Sequence, residues 1–412
     1  MKRTKIEGEA KIEQERTARG PREPGHVQVA SSELTRDINR DVVLRRIRSL
    51  QPVSRVDVAR ASGLQPSTVS SIVEQLLRER WIREGAVVKT ARGRRPTLLS
   101  LNDDLVILAA DIRPSQAVVA LLDLNGRFLE RQLVPLSRDP ERALGMLVSV
   151  MQGFRQKHAS YAFEGVGISL PGRVDTQTGQ LLLAPNLPWS QFDIQKYLER
   201  ELALEVHLEN AANAALLSEL WFGTIEGIRN VVLLTVSEGL GTAILAEGRL
   251  VTGRRGLAGE FGHICVDPEG PLCSCGARGC WEVFASSRAA LRYHQQLAPA
   301  APAVTYLELM ALAIDGDAAA NQALEQQARC LGQGMHLLNA VLSPDLILIA
   351  SDITAFSERH MASIERECQA GMMAGEGPRL QIVGDGEATR LRGAAAVALQ
   401  RHSGYFRATH PH

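Results

Sequence analysis

One imidazole and three thiols fall within 18 positions of this chain: His263, Cys273, Cys275 and Cys280, in the run Gly262-His-Ile-Cys-Val-Asp-Pro-Glu-Gly-Pro-Leu-Cys-Ser-Cys-Gly-Ala-Arg-Gly-Cys280. Imidazole nitrogen and thiolate sulfur are the donors a tetrahedral zinc ion takes, and the intervening glycines permit a tight loop that brings four of them to one point. With every coordination position filled by protein, such an ion has no place for a reacting water. The spacing therefore predicts one structural Zn²⁺ per chain, held by the loop 263–280. Cys265, Cys330 and Cys368 stand in apolar sequence and read as ordinary core residues.

A second chemistry lies nearer the N-terminus. From Pro66 onward, Val69, Ile72, Val73, Leu76 and Leu77 recur at helical spacing and give one apolar face. The opposite face reads Gln65, Ser67, Thr68, Ser70, Ser71 and Gln75, uncharged and rich in hydrogen-bonding groups. Short polar side chains let a helix enter the major groove and meet base edges, which makes Gln65, Ser67, Thr68 and Ser71 candidates for DNA contact. Downstream, Lys89 and the run Arg92-Gly93-Arg94-Arg95-Pro96 form a basic tip within the apolar segment 81–101. That pattern predicts a wing whose Arg92, Arg94 and Arg95 reach phosphates or a narrow minor groove.

The elements that position these residues follow from the surrounding pattern. Val43, Ile47 and Leu50 give a preceding helix its apolar side, and Pro52 stops it. Ser54 can cap a short second helix that ends at Gly63. Two helices, a tight turn and a polar-faced third helix describe a helix-turn-helix, here with a wing. From residue 105 the period changes to that of an α/β protein, with strands expected at 105–111, 116–123, 127–134, 164–170, 231–236 and 346–350, and helices at 144–154, 213–222 and 331–342. A β-β-β-α opening followed by a second strand-rich half suggests two related lobes around a cleft. The expected division is a disordered tail at 1–33, a winged helix-turn-helix at 34–101, and a body at 102–412.

Composition excludes several alternatives. A formal net charge of zero conceals a basic segment, since residues 35–100 hold 14 Lys/Arg against six Asp/Glu and residues 101–412 hold 25 against 34. Such asymmetry suits a small module for a polyanion joined to a mildly acidic body. No apolar run approaches the 18 to 20 residues of a membrane helix, residues 1–20 have no signal-like core, and six cysteines in 412 residues are no disulfide scaffold. Those features place the expectation in the cytoplasm.

The sequence also resembles a known family, the repressor, open reading frame and kinase (ROK) family, in its transcriptional-regulator branch of the N-acetylglucosamine and xylose repressor type. The resemblance runs from about Arg36 to the C-terminus. It is carried in order by Leu170-Pro-Gly172, Pro185-Asn-Leu-Pro-Trp189, Glu209-Asn-Ala-Ala-Asn213, Gly239-Leu-Gly-Thr242, Gly259-Glu-Phe-Gly-His263 and Gly279-Cys-Trp-Glu282. It implies a two-lobed, ribonuclease H-like body of the actin and hexokinase type behind the winged helix. It also implies a sugar site at Gly172, Asn186, Asn210, Glu260, His263 and Glu282. Carboxylates, an amide and an imidazole suit a ring of sugar hydroxyls, and in this family the histidine links zinc to the sugar through its two ring nitrogens.

Departures from the kinases of that family are informative. Their general-base aspartate is Ala211 here, and a methyl group accepts no proton. Their first phosphate loop, Asp-x-Gly-Gly-Thr, is Asp111-Ile-Arg-Pro-Ser115, where Pro114 has no N–H to offer. A late glycine run is replaced by Ala350-Ser-Asp352, whose carboxylate would repel a triphosphate, and only Gly239 and Gly241 keep the second phosphate loop. The resulting expectation is a non-enzymatic, sugar-responsive DNA-binding regulator, a repressor, with operator DNA and a sugar as partners. A homodimer or homotetramer is expected; the alternatives are a bifunctional ROK sugar kinase that also binds DNA, and a regulator whose body is controlled by a protein partner.

Overall fold

The stripe formed by Val43, Leu44 and Ile47, each at most 2% exposed, packs α1 (Ser32–Leu50) against two shorter helices. α2 (Arg55–Ser62) begins where the Ser54 hydroxyl accepts the Asp57 N–H at 3.2 Å, and ends at Gly63 in the left-handed conformation. α3 (Pro66–Arg78) has Pro66 in its first turn and buries Val69, Ile72, Val73 and Leu76. β1 (Val53–Ser54), β2 (Ile82–Val87) and β3 (Thr97–Leu101) close this unit as an antiparallel sheet ordered β1-β3-β2. Trp81, 2% exposed, anchors the start of β2 beneath the Arg40 guanidinium.

This computed structural model describes residues 32–87, 97–114, 116–175, 178–184, 187, 189, 192–223, 225, 227–351, 354–370, 377–384 and 386–400. Lys89, Arg92, Arg94 and Arg95 of the expected wing tip lie outside the described residues, as do Ser115, Asn186 and Asp352. So does the expected tail as far as residue 31; α1 is already formed at Ser32, two residues inside it.

Among the described residues the body forms two five-stranded sheets of one topology. In the first, β4 (Leu105–Ile112) runs antiparallel to β5 (Gln116–Asp123), β5 antiparallel to β6 (Phe128–Pro135), and β4 parallel to β7 (Ala162–Leu170), which pairs in parallel with β10 (Val206–Asn210). The short hairpin β8 (Arg173–Asp175) and β9 (Gln180–Leu183) lies between β7 and β10 in the chain. The second sheet repeats the order with β11 (Val231–Val236), β12 (Leu240–Ala246), β13 (Arg249–Leu250), β14 (Leu346–Ser351) and β15 (Arg379–Val383). Runs such as 105–112 and 346–351 are buried along their whole length because helices cover both faces.

The first lobe adds α4 (Pro140–Lys157) and α5 (Ile194–Leu202), and α6 (Ala211–Phe222) leads from β10 into the second lobe. There α7 (Glu282–Ala285), α8 (Ser287–Leu297), α9 (Tyr306–Ile314), α10 (Ala318–Leu342) and α11 (Thr354–Gln369) surround the second sheet. α12 (Gly386–Gln400) returns to the first, where Leu391, Ala394 and Ala398 join the apolar cluster of Ile107, Ala109 and Val118. Among the described residues no helix is long and apolar enough to cross a membrane.

Several sequence expectations fail. Leu50, expected on the apolar side of α1, is 46% exposed at the end of that helix, and Leu44 joins Val43 and Ile47 in the core instead. Cys265 is exposed, and so are its neighbours Ile264 and Val266. Their apolar run mimics core but lies in the irregular loop that carries the other cysteines, where Cys265 makes an isolated backbone bridge to Cys280. Cys368 is buried as expected and Cys330 is half-buried.

Candidate ligand cleft and metal centre

Between the lobes lies a cleft of about 350 Å³, at the C-terminal ends of β4, β7, β11 and β14 and the N-terminus of α6. Ends of parallel strands leave backbone and side chains unpaired by the sheet, which is why α/β folds place ligands there. Gly172, Asn210, Glu260, His263 and Glu282 all line it. Five of the six residues expected to meet a sugar thus converge from segments more than a hundred residues apart in sequence, and the sixth, Asn186, is outside the described residues.

Each side chain is held by its element. Asn210 caps α6, its Oδ1 accepting the Asn213 N–H at 2.8 Å, so its NH₂ is the group it can offer a ligand. Behind it Glu209 is 3% exposed and accepts the Asn210 N–H at 2.9 Å and the Asn213 Nδ2 at 3.1 Å. Burial pushes its carboxyl up to about 7, against the two hydrogen bonds that favour the charged form. Glu282 opens α7 and is fixed by the Leu240 N–H at 3.0 Å, with the Ser274 hydroxyl at 3.5 Å from its other oxygen. Gly239 makes that approach possible, since a Cβ there would stand 2.7 Å from Glu282 Oε2.

Glu260 faces both His263, whose Nε2 is 3.8 Å away, and Arg173 of the opposite lobe at 3.4 Å. Beside that bridge, Arg255 donates from Nε to the buried Asp175 at 2.7 Å. Both ion pairs therefore join the first lobe to the second, and Glu260 of the first pair lines the cleft. Neither was legible in sequence, because the partners are 87 and 80 residues apart and no local pattern links them.

His263 turns its other nitrogen toward the cysteines. Nδ1 lies 3.5 Å from Cys273 Sγ, Cys275 Sγ lies 3.6 Å from Cys280 Sγ, and the four donor atoms fall within 4.8 Å of one another. Edges of about 3.5 to 3.8 Å are what a tetrahedron with roughly 2.0 Å nitrogen and 2.3 Å sulfur bonds would have, so these residues fit such an ion. Burial raises the Cys273 thiol, and burial with the neighbouring Cys275 thiol pushes Cys280 up to about 12. Against its own burial, hydrogen bonds from the Ala277 backbone and the neighbouring thiols lower Cys275. Two crowded thiols that resist ionisation alone, beside one that yields its proton more readily, are an arrangement a divalent cation relieves.

At the other end of the cleft, Asp111 is 1% exposed and gives one oxygen to the Nε atoms of Arg113 and Arg390, both at 3.0 Å, and the other to the Ser169 hydroxyl. Arg113 follows Asp111 by two positions, so strand alternation could have revealed that pair. Arg390 is 279 residues away and could not have been anticipated. Pro114 and Ala211 also line the cleft. On α3, Gln65, Ser67, Ser70 and Ser71 are exposed and Thr68 is half-buried, while Gln75 is held by Arg36 and Glu79.

The fold of repeated lobes, the interlobe cleft and the His/Cys cluster define a sugar-kinase-like body carrying an N-terminal helical unit. The ROK family model matches residues 107–401, and the chain belongs to that family. The xylose repressor of Bacillus spizizenii is 29% identical to it over 345 residues, 83% of this chain and 89% of the repressor. A solved ROK family transcriptional regulator, described as a homolog of the E. coli MLC protein, has a TM-score of 0.75 at 26% identity and covers 90% of this chain and 98% of its own. The ROK family glucokinase of Streptomyces griseus, solved with glucose and AMPPNP, has a TM-score of 0.65 at 29% identity and covers 72% of this chain and 99% of its own.

Proposed function

We propose that this chain is a sugar-responsive transcriptional repressor of ROK type, with a winged helix-turn-helix at 34–101 and an effector-binding body at 102–412 that no longer phosphorylates sugar. The observation that carries the reading is one cleft with two unlike ends. Asn210, Glu260, His263 and Glu282 keep the donors and acceptors that hydroxyls require, whereas Ala211 provides no base and Asp111 is neutralised by Arg113 and Arg390. Relatives that span most of the chain and are named repressors support the DNA-binding half, as does an exposed polar face on α3.

His263, Cys273, Cys275 and Cys280 would hold one zinc ion, whose contribution there is to lock the loop and orient His263. The winged helix would meet double-stranded operator DNA through Gln65, Ser67, Thr68 and Ser71 and through Arg92, Arg94 and Arg95. A symmetric oligomer would present two such units to two half-sites.

A panel of pentoses, hexoses, N-acetylhexosamines and their 6-phosphates tests the body directly. A sugar at 100 times its Kd should raise the unfolding free energy by about 2.7 kcal/mol. The same sugar should give no sugar phosphate with ATP. Stabilisation by no sugar, or steady phosphorylation by the purified chain, would overturn the reading.

A further inference from the structure

α6 and α12 form the joint between the lobes. Ala212, Ala215 and Leu216 of α6 pack on Val231, Leu233 and Ala243 of the second sheet, while Leu391, Ala394 and Ala398 of α12 pack with the first. The two helices touch so closely that a Cβ on Gly393 would stand 2.2 Å from the Ala214 carbonyl oxygen. Both also begin at the cleft, α6 with Asn210 and Ala211, and α12 with Arg390 in its second turn bonded to Asp111.

The far end of this pair meets the N-terminal unit. Arg48 of α1 donates from Nη2 to the Leu220 carbonyl at 3.3 Å and lays its guanidinium over the Trp221 ring, 5.3 Å from the centroid. Leu220 is in the last turn of α6, where carbonyls lack helical partners and the helix dipole favours a cation. Beside it, the turn at Asn125 and Gly126 is gripped from three sides. Gln51 bonds Asn125 at 2.7 Å, Arg392 of α12 bonds the Gly126 carbonyl at 3.0 Å, and the Phe222 ring lies against Gly126.

The N-terminal unit therefore has two attachments. Its core is continuous with the first lobe, in one apolar cluster that runs from Val43 and Ile47 to Ile107, Leu122 and Leu391. Through Arg48 it also holds the end of the helix that packs on the second lobe. α6 has 12 residues and spans about 18 Å, so a tilt set at Asn210 is delivered at Trp221.

We propose that a sugar in the cleft acts on the DNA-binding unit through the α6–α12 joint, and that Arg48 on Leu220 and Trp221 is the contact where the change arrives. The inference rests on the sugar-responsive reading above. A ligand that favours one lobe angle shifts the two attachments relative to each other, and the unit reorients because it cannot satisfy both unchanged. Arg48 is a positioning residue, touching neither sugar nor the expected base-reading face.

The test uses the full chain, a duplex selected from random DNA by the wild-type protein, and the sugar that stabilises it in the panel above. For wild type, Arg48→Ala, Arg48→Lys and Trp221→Leu, sugar Kd and operator Kd are measured separately, the latter with and without sugar. Sugar Kd and sugar-free operator Kd should stay within about 2-fold of wild type, while a wild-type sugar response of roughly 5- to 150-fold should fall below about 2-fold in Arg48→Ala and Trp221→Leu. Arg48→Lys, which keeps the bond to the Leu220 carbonyl but not the planar stack, should retain part of it. If Arg48→Ala does not fold, Trp221→Leu decides. A full response in folded variants overturns the inference and leaves the regulator reading standing, whereas a wild type whose sugar and DNA binding are unlinked removes both.

Discussion

Glu209 and Cys275 show how single residues bind the cleft to the stability of the body. The Glu209 carboxyl is raised from 4.5 to about 7, so the folded chain keeps a proton that the unfolded chain releases. Its contribution is fully present below pH 4.5 and is lost as pH rises through about 7. Glu209→Gln keeps an acceptor for the Asn210 and Asn213 donors without the buried charge. Above pH 7 the variant should be more stable than wild type by up to about 3 kcal/mol, with the difference vanishing near pH 4, in denaturant melts across that range. Equal stability at pH 8 would contradict the assignment. Cys275→Ser should release zinc and lower the melting temperature, because metal binding at such a site is part of the folding free energy. Metal analysis of wild type purified without chelator checks it, and a protein without zinc would refute the site.

What the sequence revealed at single residues was the donor set, since His263, Cys273, Cys275 and Cys280 are local and chemically distinctive. What it concealed were partners distant along the chain: Arg390 on Asp111, Arg173 on Glu260 and Arg255 on Asp175. Charge pairs of that kind are created by the fold and leave no periodic trace.

Helical periodicity located α3, whose buried residues are four of the five in the predicted apolar stripe, with Leu77 half-buried. It shortened α10, which starts at Ala318 instead of 331, because small residues such as Ala320 and Ala323 are buried but carry a weak apolar signal. α3 and the hairpin that follows should divide DNA binding between them. Ser71→Ala or Thr68→Ala should relax preference among operator sequences at similar overall affinity. Arg94→Ala should weaken binding to every duplex and reduce the log-log salt slope by roughly 0.9 for each phosphate the arginine neutralises. Fluorescence anisotropy at several salt concentrations, with selected and scrambled duplexes, separates the two effects. Uniform weakening from the α3 variants would place base reading elsewhere.

The two sheets share one topology, and the alternation of strands and helices had already suggested paired lobes. Their relation to the N-terminal unit was hidden, because the apolar residues of α1 match those of β4, β5 and α12 only after both have folded. That shared core ties the N-terminal unit to the first lobe, and in the regulator proposed above a change in lobe angle would, in a symmetric oligomer, alter the separation of two DNA-binding units. Half-sites recur about 34 to 36 Å apart along one face of the duplex, so shifts of a few ångströms at each unit weaken both sets of base contacts together.

Titrating operator DNA against wild type and Glu260→Ala, each with and without the stabilising sugar, tests the proposed link between cleft and operator most directly. The sugar should weaken wild-type operator binding by roughly 5- to 150-fold and leave Glu260→Ala unchanged, with sugar-free binding alike in the two proteins. An equal response in both would remove Glu260 from the effector site, and no response of wild type to a sugar that binds it would contradict the regulation proposed for this chain.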